Sequence, residues 1–298
     1  MRISIFREYA CRRWIPGGAL PALAAVLAAT FASCVKSNVY VTPHPLTGAV
    51  EVVTDWSGRE QGTERPASYV VRLGEKSFPV QAETAVLPEL FAPGPAGLYI
   101  YNVPAGMTVD GLTASVDMAA DGVTIEPLPG RLFTFAQEVT VNGDDTLRVT
   151  APMRQRTRGL RFELTVTEGD PEYISEVRGV LGGVARTFDI ASSAVGTEAA
   201  ATAPAFVRQG DKITASANLP GVVPGAGQIL EITLVYTDGQ EQTVRSDLSG
   251  EFADFGSDMT RPLLLTGNLH APTAAGAAAV ITDWESGLAD GYGDVVAD

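Results

Sequence analysis

This sequence predicts an all-β protein, two β-sandwiches in tandem behind an exported leader. Three observations carry that prediction. Short runs of alternating apolar and polar residues recur about every ten residues, separated by Gly, Pro, Asn and Asp. No stretch keeps a helical period of apolar residues. What remains after the leader, 265 of the 298 residues, is room for two ordinary domains.

The leader is the first element. Arg2, Arg7, Arg12 and Arg13 precede an apolar run, Leu20 to Ser33, that closes on small residues. A basic start, an apolar middle and a small-residue end make a secretory signal peptide. The run is shorter than the roughly 20 apolar residues that span a bilayer. Pro16, Gly17, Gly18 and Pro21 also break its front. Phe31-Ala32-Ser33-Cys34 looks like a bacterial lipobox, which implies cleavage before Cys34 and lipid on its sulfur. Residues 1–33 are thus expected as the leader and 34–47 as a lipidated tether, held by more than one acyl chain because a single chain binds only marginally.

The strands follow in order. Gly48 to Thr54 alternates, with Val50 and Val52 on one face. A polar loop, Arg59 to Pro66, leads to Ala67–Leu73 and a turn at Gly74-Glu75-Lys76. Gly97 to Val103 and Leu112 to Met118 come next. Glu138 to Pro152 reads as a hairpin across Asn142-Gly143-Asp144-Asp145. Ala151 to Gly159 (APMRQRTRG) sets three arginines in an otherwise acidic chain and places a boundary between a sandwich at 48–153 and another at 154–298. Beyond it, Leu160 to Thr167 alternates strictly. Tyr173–Leu181 and Val184–Ile190 are separated by Gly182-Gly183. Ala191 to Pro204 is rich in small residues and reads as a mobile loop. Lys212–Leu219 is a strand, Ile229–Thr237 and Glu241–Asp247 a hairpin over Asp238-Gly239. Gly250–Asp258 has room for one helical turn; Pro262–Leu269 and Ala277–Thr282 are the last strands. The phrases VVTDWSG (52–58) and VITDWESG (280–287) echo each other, which we read as chance or local turn chemistry.

Charge and cysteine content exclude several functions. The chain carries −14; the leader holds four Arg and one Glu, +3, so the remainder carries −17. Such a chain does not bind nucleic acid by neutralising phosphates, and anionic headgroups repel it. Cys11 leaves with the leader and Cys34 takes lipid, so the folded part has neither a disulfide nor a thiolate metal site.

The pattern His44-x3-Gly48 leading to Asp55-Trp56 resembles a family of Bacteroidales outer-membrane lipoproteins. So do Pro93-Gly94 leading to Tyr99-Ile100-Tyr101-Asn102, Met153-x-Gln155 with Arg158, Gly182-Gly183-Val184-Ala185, Ser246-Asp247-Leu248-Ser249 and Asp283-Trp284-Glu285. The resemblance covers essentially the whole chain after the leader. That family has no assigned function but is related to the fimbrillin and fimbrial-anchor lipoproteins. It implies two transthyretin-like (Greek-key) sandwiches, an outer-membrane address and a role in fimbria assembly or adhesion; the lipid anchor is expected on the cell surface in preference to the periplasmic face. It also implies partners that are other sandwich subunits joined by strand addition. Several such relatives are cut at an arginine after the first strand; Arg59 and Arg65 stand at that place here. A lipid-held anchor keeps its first strand, so those residues are expected to stay uncut in a polar connector.

Catalysis has little support in the residues. His44 and His270 are the two histidines, both beside prolines or at loop ends, and neither G-x-S-x-G nor H-E-x-x-H occurs. Asn142, Asp144 and Asp145, or Asp290 and Asp294, carry calcium-type oxygens without the EF-hand spacing. Turn chemistry and an acidic tail explain them better, so no metal, cofactor or enzyme activity is expected. Trp56 and Trp284 each follow an Asp at a strand end. As open platforms they would stack on sugars, giving the alternative of a glycan-binding lipoprotein serving an outer-membrane uptake system. As core closures they would only cap a sandwich, the reading we favour.

Overall fold

The computed structural model describes residues 46–272 and 278–289; the leader, Cys34 and the tether to residue 45 lie outside them. Strands dominate throughout. They run β1 (Ala49–Asp55), β2 (Tyr69–Leu73), β3 (Lys76–Val80), β4 (Thr84–Val86), β5 (Gly94–Tyr101), β6 (Met107–Asp110) and β7 (Thr113–Val116). Then come β8 (Phe133–Val141), β9 (Thr146–Pro152), β10 (Arg154–Gln155), β11 (Arg158–Glu168), β12 (Ile174–Ala185), β13 (Thr187–Asp189) and β14 (Ala194–Val195). The last are β15 (Ala199–Thr202), β16 (Val207–Gln209), β17 (Lys212–Leu219), β18 (Ile229–Tyr236), β19 (Glu241–Asp247), β20 (Leu263–His270) and β21 (Val280–Leu288).

Alternation explains which faces are buried. In β1, Val50 and Val52 are wholly enclosed while Glu51 and Val53 are half-buried. In β11, Leu160, Phe162, Leu164 and Val166 point into a core and Arg161, Glu163 and Thr165 do not. Each fully buried apolar side chain of this size stabilises the fold by about 1.5–3 kcal/mol. Together they build two cores. The first lies between sheets β4-β1-β9 and β10-β8-β5-β2-β3 and holds Val50, Val52, Trp56, Tyr69, Ile100 and Phe133. The second lies between β16-β17-β11-β20-β21 and β15-β12-β18-β19 and holds Phe162, Leu164, Ile232, Leu234, Phe252 and Phe255.

The two sandwiches repeat one topological device. β1 sits between antiparallel β4 and parallel β9, with Ala49 opposite Thr146 through Asp55 opposite Pro152. β11 sits between antiparallel β17 and parallel β20. A fifth sheet, β14-β13-β7-β6, draws its strands from both halves of the chain. Through it Met107, Ala114 and Val116 join the second core, as do Ile125 and Leu132 from the segment between β7 and β8. The WSG and WESG echo is no part of this repeat. The first phrase closes β1; the second lies inside the edge strand β21, where Asp283 takes a φ of +54° beside a register shift.

Three sequence-based expectations are corrected. Residues 138–152 are not a hairpin: β8 and β9 belong to opposite sheets, and Val139, Val141 and Val149 meet across the first core. The turn's backbone is taken instead by the incoming chain, with Asp144 N donating to Thr47 O (3.0 Å) and Ala49 N to Asp145 O (2.9 Å). Gly182-Gly183 does not end a strand; β12 runs through it with a bulge between Leu181 and Val184. Gly183 has φ +73°, and a Cβ there would fall 2.2 Å from Gly227 O. Ala191–Pro204 is not a free loop. β15 pairs with β12, and Thr202 is enclosed with its Oγ1 on Ile125 O at 3.2 Å. Its small residues have little strand propensity of their own, and the pairing overrides it. Gly250–Asp258, with room for one helical turn, forms consecutive turns, with Phe252 N donating to Leu248 O at 3.1 Å, and Phe252 and Phe255 plug the second core from it.

Gly48 packs closely against the backbone at Asn142. Its N–H and C=O both bond Phe91 at 2.8 Å, and a Cβ would fall 2.1 Å from Asn142 O. Gly48→Ala should therefore lower stability by about 1–3 kcal/mol in urea unfolding. Gly250→Ala, which meets open space, should stay within roughly 0.5 kcal/mol of the parent.

Candidate functional site

The candidate site begins with the seat of β1 and the loop that leaves it. Val50, Val52 and Thr54 point into the first core. Thr54 is polar, so its oxygen needs partners there. It accepts from Trp56 Nε1 at 2.9 Å, and its hydroxyl donates to Glu83 O at 3.2 Å. Trp56 then closes the core, 4% exposed, edge-on to Tyr69 and Phe133 at 5.6 and 5.5 Å. Asp55 accepts from Ser57 N at 2.9 Å, and that backbone bond, with the Ser57 side chain, holds its carboxyl below the usual range. The indole thus presents no open face to a sugar. Trp284 is half-buried against the second core, with Nε1 enclosed and unpartnered among the described residues.

The loop after β1 is anchored where its sequence suggests an exposed connector. Arg59 is exposed, with Nη1 on Trp56 O at 3.2 Å. The next residue, Glu60, is turned inward. Its N–H donates to Gln155 Oε1 at 3.0 Å and its carboxylate meets Arg131 at 2.6 Å. The two side chains are 4% and 9% exposed. Arg131 also donates to Asn218 Oδ1 at 2.7 Å, and Asn218 Nδ2 donates to Pro129 O at 2.9 Å. Gln155 Nε2 donates to Thr157 O at 2.9 Å and to Met259 O at 2.7 Å. One polar network therefore ties the loop after β1 to β10, β17 and the 256–260 turn. Arg65 is half-buried beside Glu83 at 3.5 Å, and the bond after it leads into Pro66.

Motif residues noted in the sequence fall mainly into structural roles. Met153 and Gln155 are enclosed, and Arg158 is 2% exposed. Arg158 donates from Nε to Arg261 O (2.7 Å) and from Nη1 to Phe255 O (2.6 Å), with its guanidinium over the Phe255 ring. Burial chiefly lowers its hold on its proton. Asn102 braces the chain before β8, donating to Arg131 O and accepting from Phe133 N. His270 lies 3.8 Å from Glu168 at the end of β20. Asp144, at φ +56°, and Asp145 serve the turn that receives β1. Cys34, His44, Asp290 and Asp294 lie outside the described residues. Glu60, Arg131 and Asn218 escaped the sequence reading, because nothing local distinguishes them from solvated polar residues.

With this geometry in hand, comparison places the chain among known proteins. The model of the family "Fimbrillin-A associated anchor proteins Mfa1 and Mfa2" matches residues 93–286. Among solved structures, a candidate adhesin from Bacteroides ovatus superposes with a TM-score of 0.60 at 13% identity, covering 88% of this chain and 96% of its own. The fimbrial anchor protein Mfa2 from Porphyromonas gingivalis gives 0.57 at 16% identity, covering 83% and 100%. A structure from Bacteroides thetaiotaomicron, titled as a candidate polysaccharide-binding protein, gives 0.52 at 8% identity, covering 81% and 98%. No curated protein sequence matches.

Replacing Glu60 tests the network. Glu60→Ala strands the Arg131 guanidinium in an enclosed site and should lower stability by about 3–5 kcal/mol in denaturant unfolding. It should also speed tryptic cleavage after Arg59, because the loop loses the ion pair to Arg131 that anchors it. Unchanged digestion with unchanged stability would mean that the ion pair does not anchor the loop.

Proposed function

Because the chain belongs to the family of fimbrillin-A associated anchor proteins Mfa1 and Mfa2, and is thus a fimbria-associated anchor or adhesive protein, we propose that it is the uncut, lipid-held member of such an assembly. Lipid on Cys34 fixes it to the outer membrane, facing the cell surface. The tether leads into β1, and β1 stays in its own sandwich. The protein then acts as a base or accessory subunit, and its partners are other β-sandwich subunits that join by strand addition.

One observation supports this most: β1 is an inner strand, bonded on both sides by β4 and β9. Its core-facing Val50 and Val52 are fully enclosed. Removing such a strand would leave two rows of backbone donors and acceptors unpaired and open the first core. Cleavage at Arg59 or Arg65 would also cut the body from the lipid. The buried Glu60 backbone and the Arg65–Pro66 bond both disfavour that cleavage. Family and structural relatives are anchors and adhesins, which accords with a non-enzymatic role. Among the described residues no helix is long and apolar enough to cross a membrane. The glycan-capture alternative would need an open aromatic platform, and Trp56 is enclosed.

Two measurements test the proposal. Cys34→Ala should release the protein from membranes or leave the precursor unprocessed; a variant that still fractionates with membranes and labels with palmitate would refute lipidation at Cys34. Mass analysis of the native protein should find a single body that retains β1. A main species beginning at Glu60 or Pro66 would instead identify a polymerising subunit.

A further inference from the structure

The arginine-rich stretch at the passage from one core to the other has a consequence that anchoring does not use. Arg154, Gln155 and Arg156, with Met153 and Pro152, line one wall of a cleft of about 480 Å³. Ser57 and Gly58 lie at one side, and Gly256, Ser257, Asp258, Met259 and Thr260 form the other. Arg154 is exposed, and among the described residues it has no carboxylate partner. Arg156 is held from behind: Nε donates to Thr134 Oγ1 (2.8 Å), Nη2 to Ser193 Oγ (2.9 Å), and the guanidinium lies over the Phe188 ring. None of these partners carries charge. Burial, and then the neighbouring Arg154 charge, weaken Arg156's hold on its proton.

Two like charges beside each other without a counter-charge are unfavourable, and an anion between them relieves both. Arg156 is already oriented by three contacts, so little side-chain freedom remains to be lost on binding. Asp258 is the one acid in the lining. Its carboxylate is occupied by Thr260 N (3.0 Å) and Thr260 Oγ1 (2.7 Å), and Arg158 and Arg261 stand close enough to offset its charge. The cleft is therefore cationic on a chain whose body is strongly acidic.

The cleft's form narrows the ligand. No aromatic ring lines it, so it lacks the stacking surface that sugars use. It borders β10, the edge strand of its sheet, which pairs with β8 and with no other described strand. Such an edge accepts an extended backbone, and guanidinium forks beside it accept carboxylates. We infer that this cleft binds an extended acidic peptide segment of a partner protein, with Arg154 and Arg156 holding its carboxylates. The inference stands whether or not Cys34 carries lipid.

The test is fluorescence anisotropy of a labelled oligoglutamate peptide titrated with the full-length protein in detergent, at low and at physiological salt. Saturable binding that weakens with salt is expected. Arg154→Gln should weaken it roughly tenfold or more. Arg245→Gln should leave it unchanged: it alters net charge equally, but Arg245 is exposed on β19 beside Glu231. Arg156→Gln should also weaken binding, and if that variant fails to fold, Arg154→Gln decides alone. Equal binding by the Arg154 and Arg245 variants, equal binding of oligoglutamine, or no saturable binding would overturn the proposal. Tighter binding of a sulfated oligosaccharide than of oligoglutamate would also overturn it, assigning the cleft to an anionic glycan.

Discussion

The pairing of β1 on both edges is the constraint from which most of this structure follows. A strand with one free edge can be lost or exchanged with little disturbance. A strand bonded along both sides, with its apolar residues inside a core, is part of the fold. Here β1 closes the first sandwich, and its parallel register with β9 runs the full length of both strands. Several features elsewhere exist to make that seat. The 142–145 turn gives its backbone to the incoming chain, Gly48 removes a Cβ that would strike that turn, and Trp56 closes the end.

The second consequence is where the loop after β1 goes. A connector of Gly, Glu, Arg and Thr would normally lie in solvent. This one puts Glu60 beside Arg131 and joins it to Gln155, Asn218 and the Met259 carbonyl. A buried ion pair gives weak net stability but a severe penalty when one member is removed. Its use here is positional. It fixes the loop, the passage through β10 and the 256–260 turn against one another, and so shapes the cleft that displays Arg154 and Arg156. The anchor reading and the cationic cleft thus share a scaffold, although they draw on different residues.

Comparison of the two halves shows how far a repeat can persist without sequence. β1 and β11 occupy the same place, each between an antiparallel and a parallel neighbour. Their residues share only the alternation that a two-faced strand needs. The one phrase that does recur, TDW, falls at topologically unrelated sites and performs different tasks. At 54–56 it ends a strand and caps a core; at 282–284 it sits at an edge-strand irregularity.

By itself the sequence determined what depends on near neighbours. Strand faces in β1, β11 and β18 follow from period-two alternation, the Asp238-Gly239 turn from its need for a positive φ, and the all-β class from their sum. The family resemblance was legible too: Gly182-Gly183 marks a bulge and Asp247-Leu248-Ser249 a turn, while Gln155 and Arg158 meet partners about a hundred residues away. Only the tertiary structure decided what depends on partners distant in sequence. Whether residues 138–152 make a hairpin or cross between sheets turns on β1, about ninety residues earlier, competing for β9. Whether Ala199–Thr202 is a loop turns on β12's open edge, and whether Glu60 is solvated turns on Arg131. In each case a local pattern admits two outcomes of similar energy, and hydrogen bonds made across the chain select one.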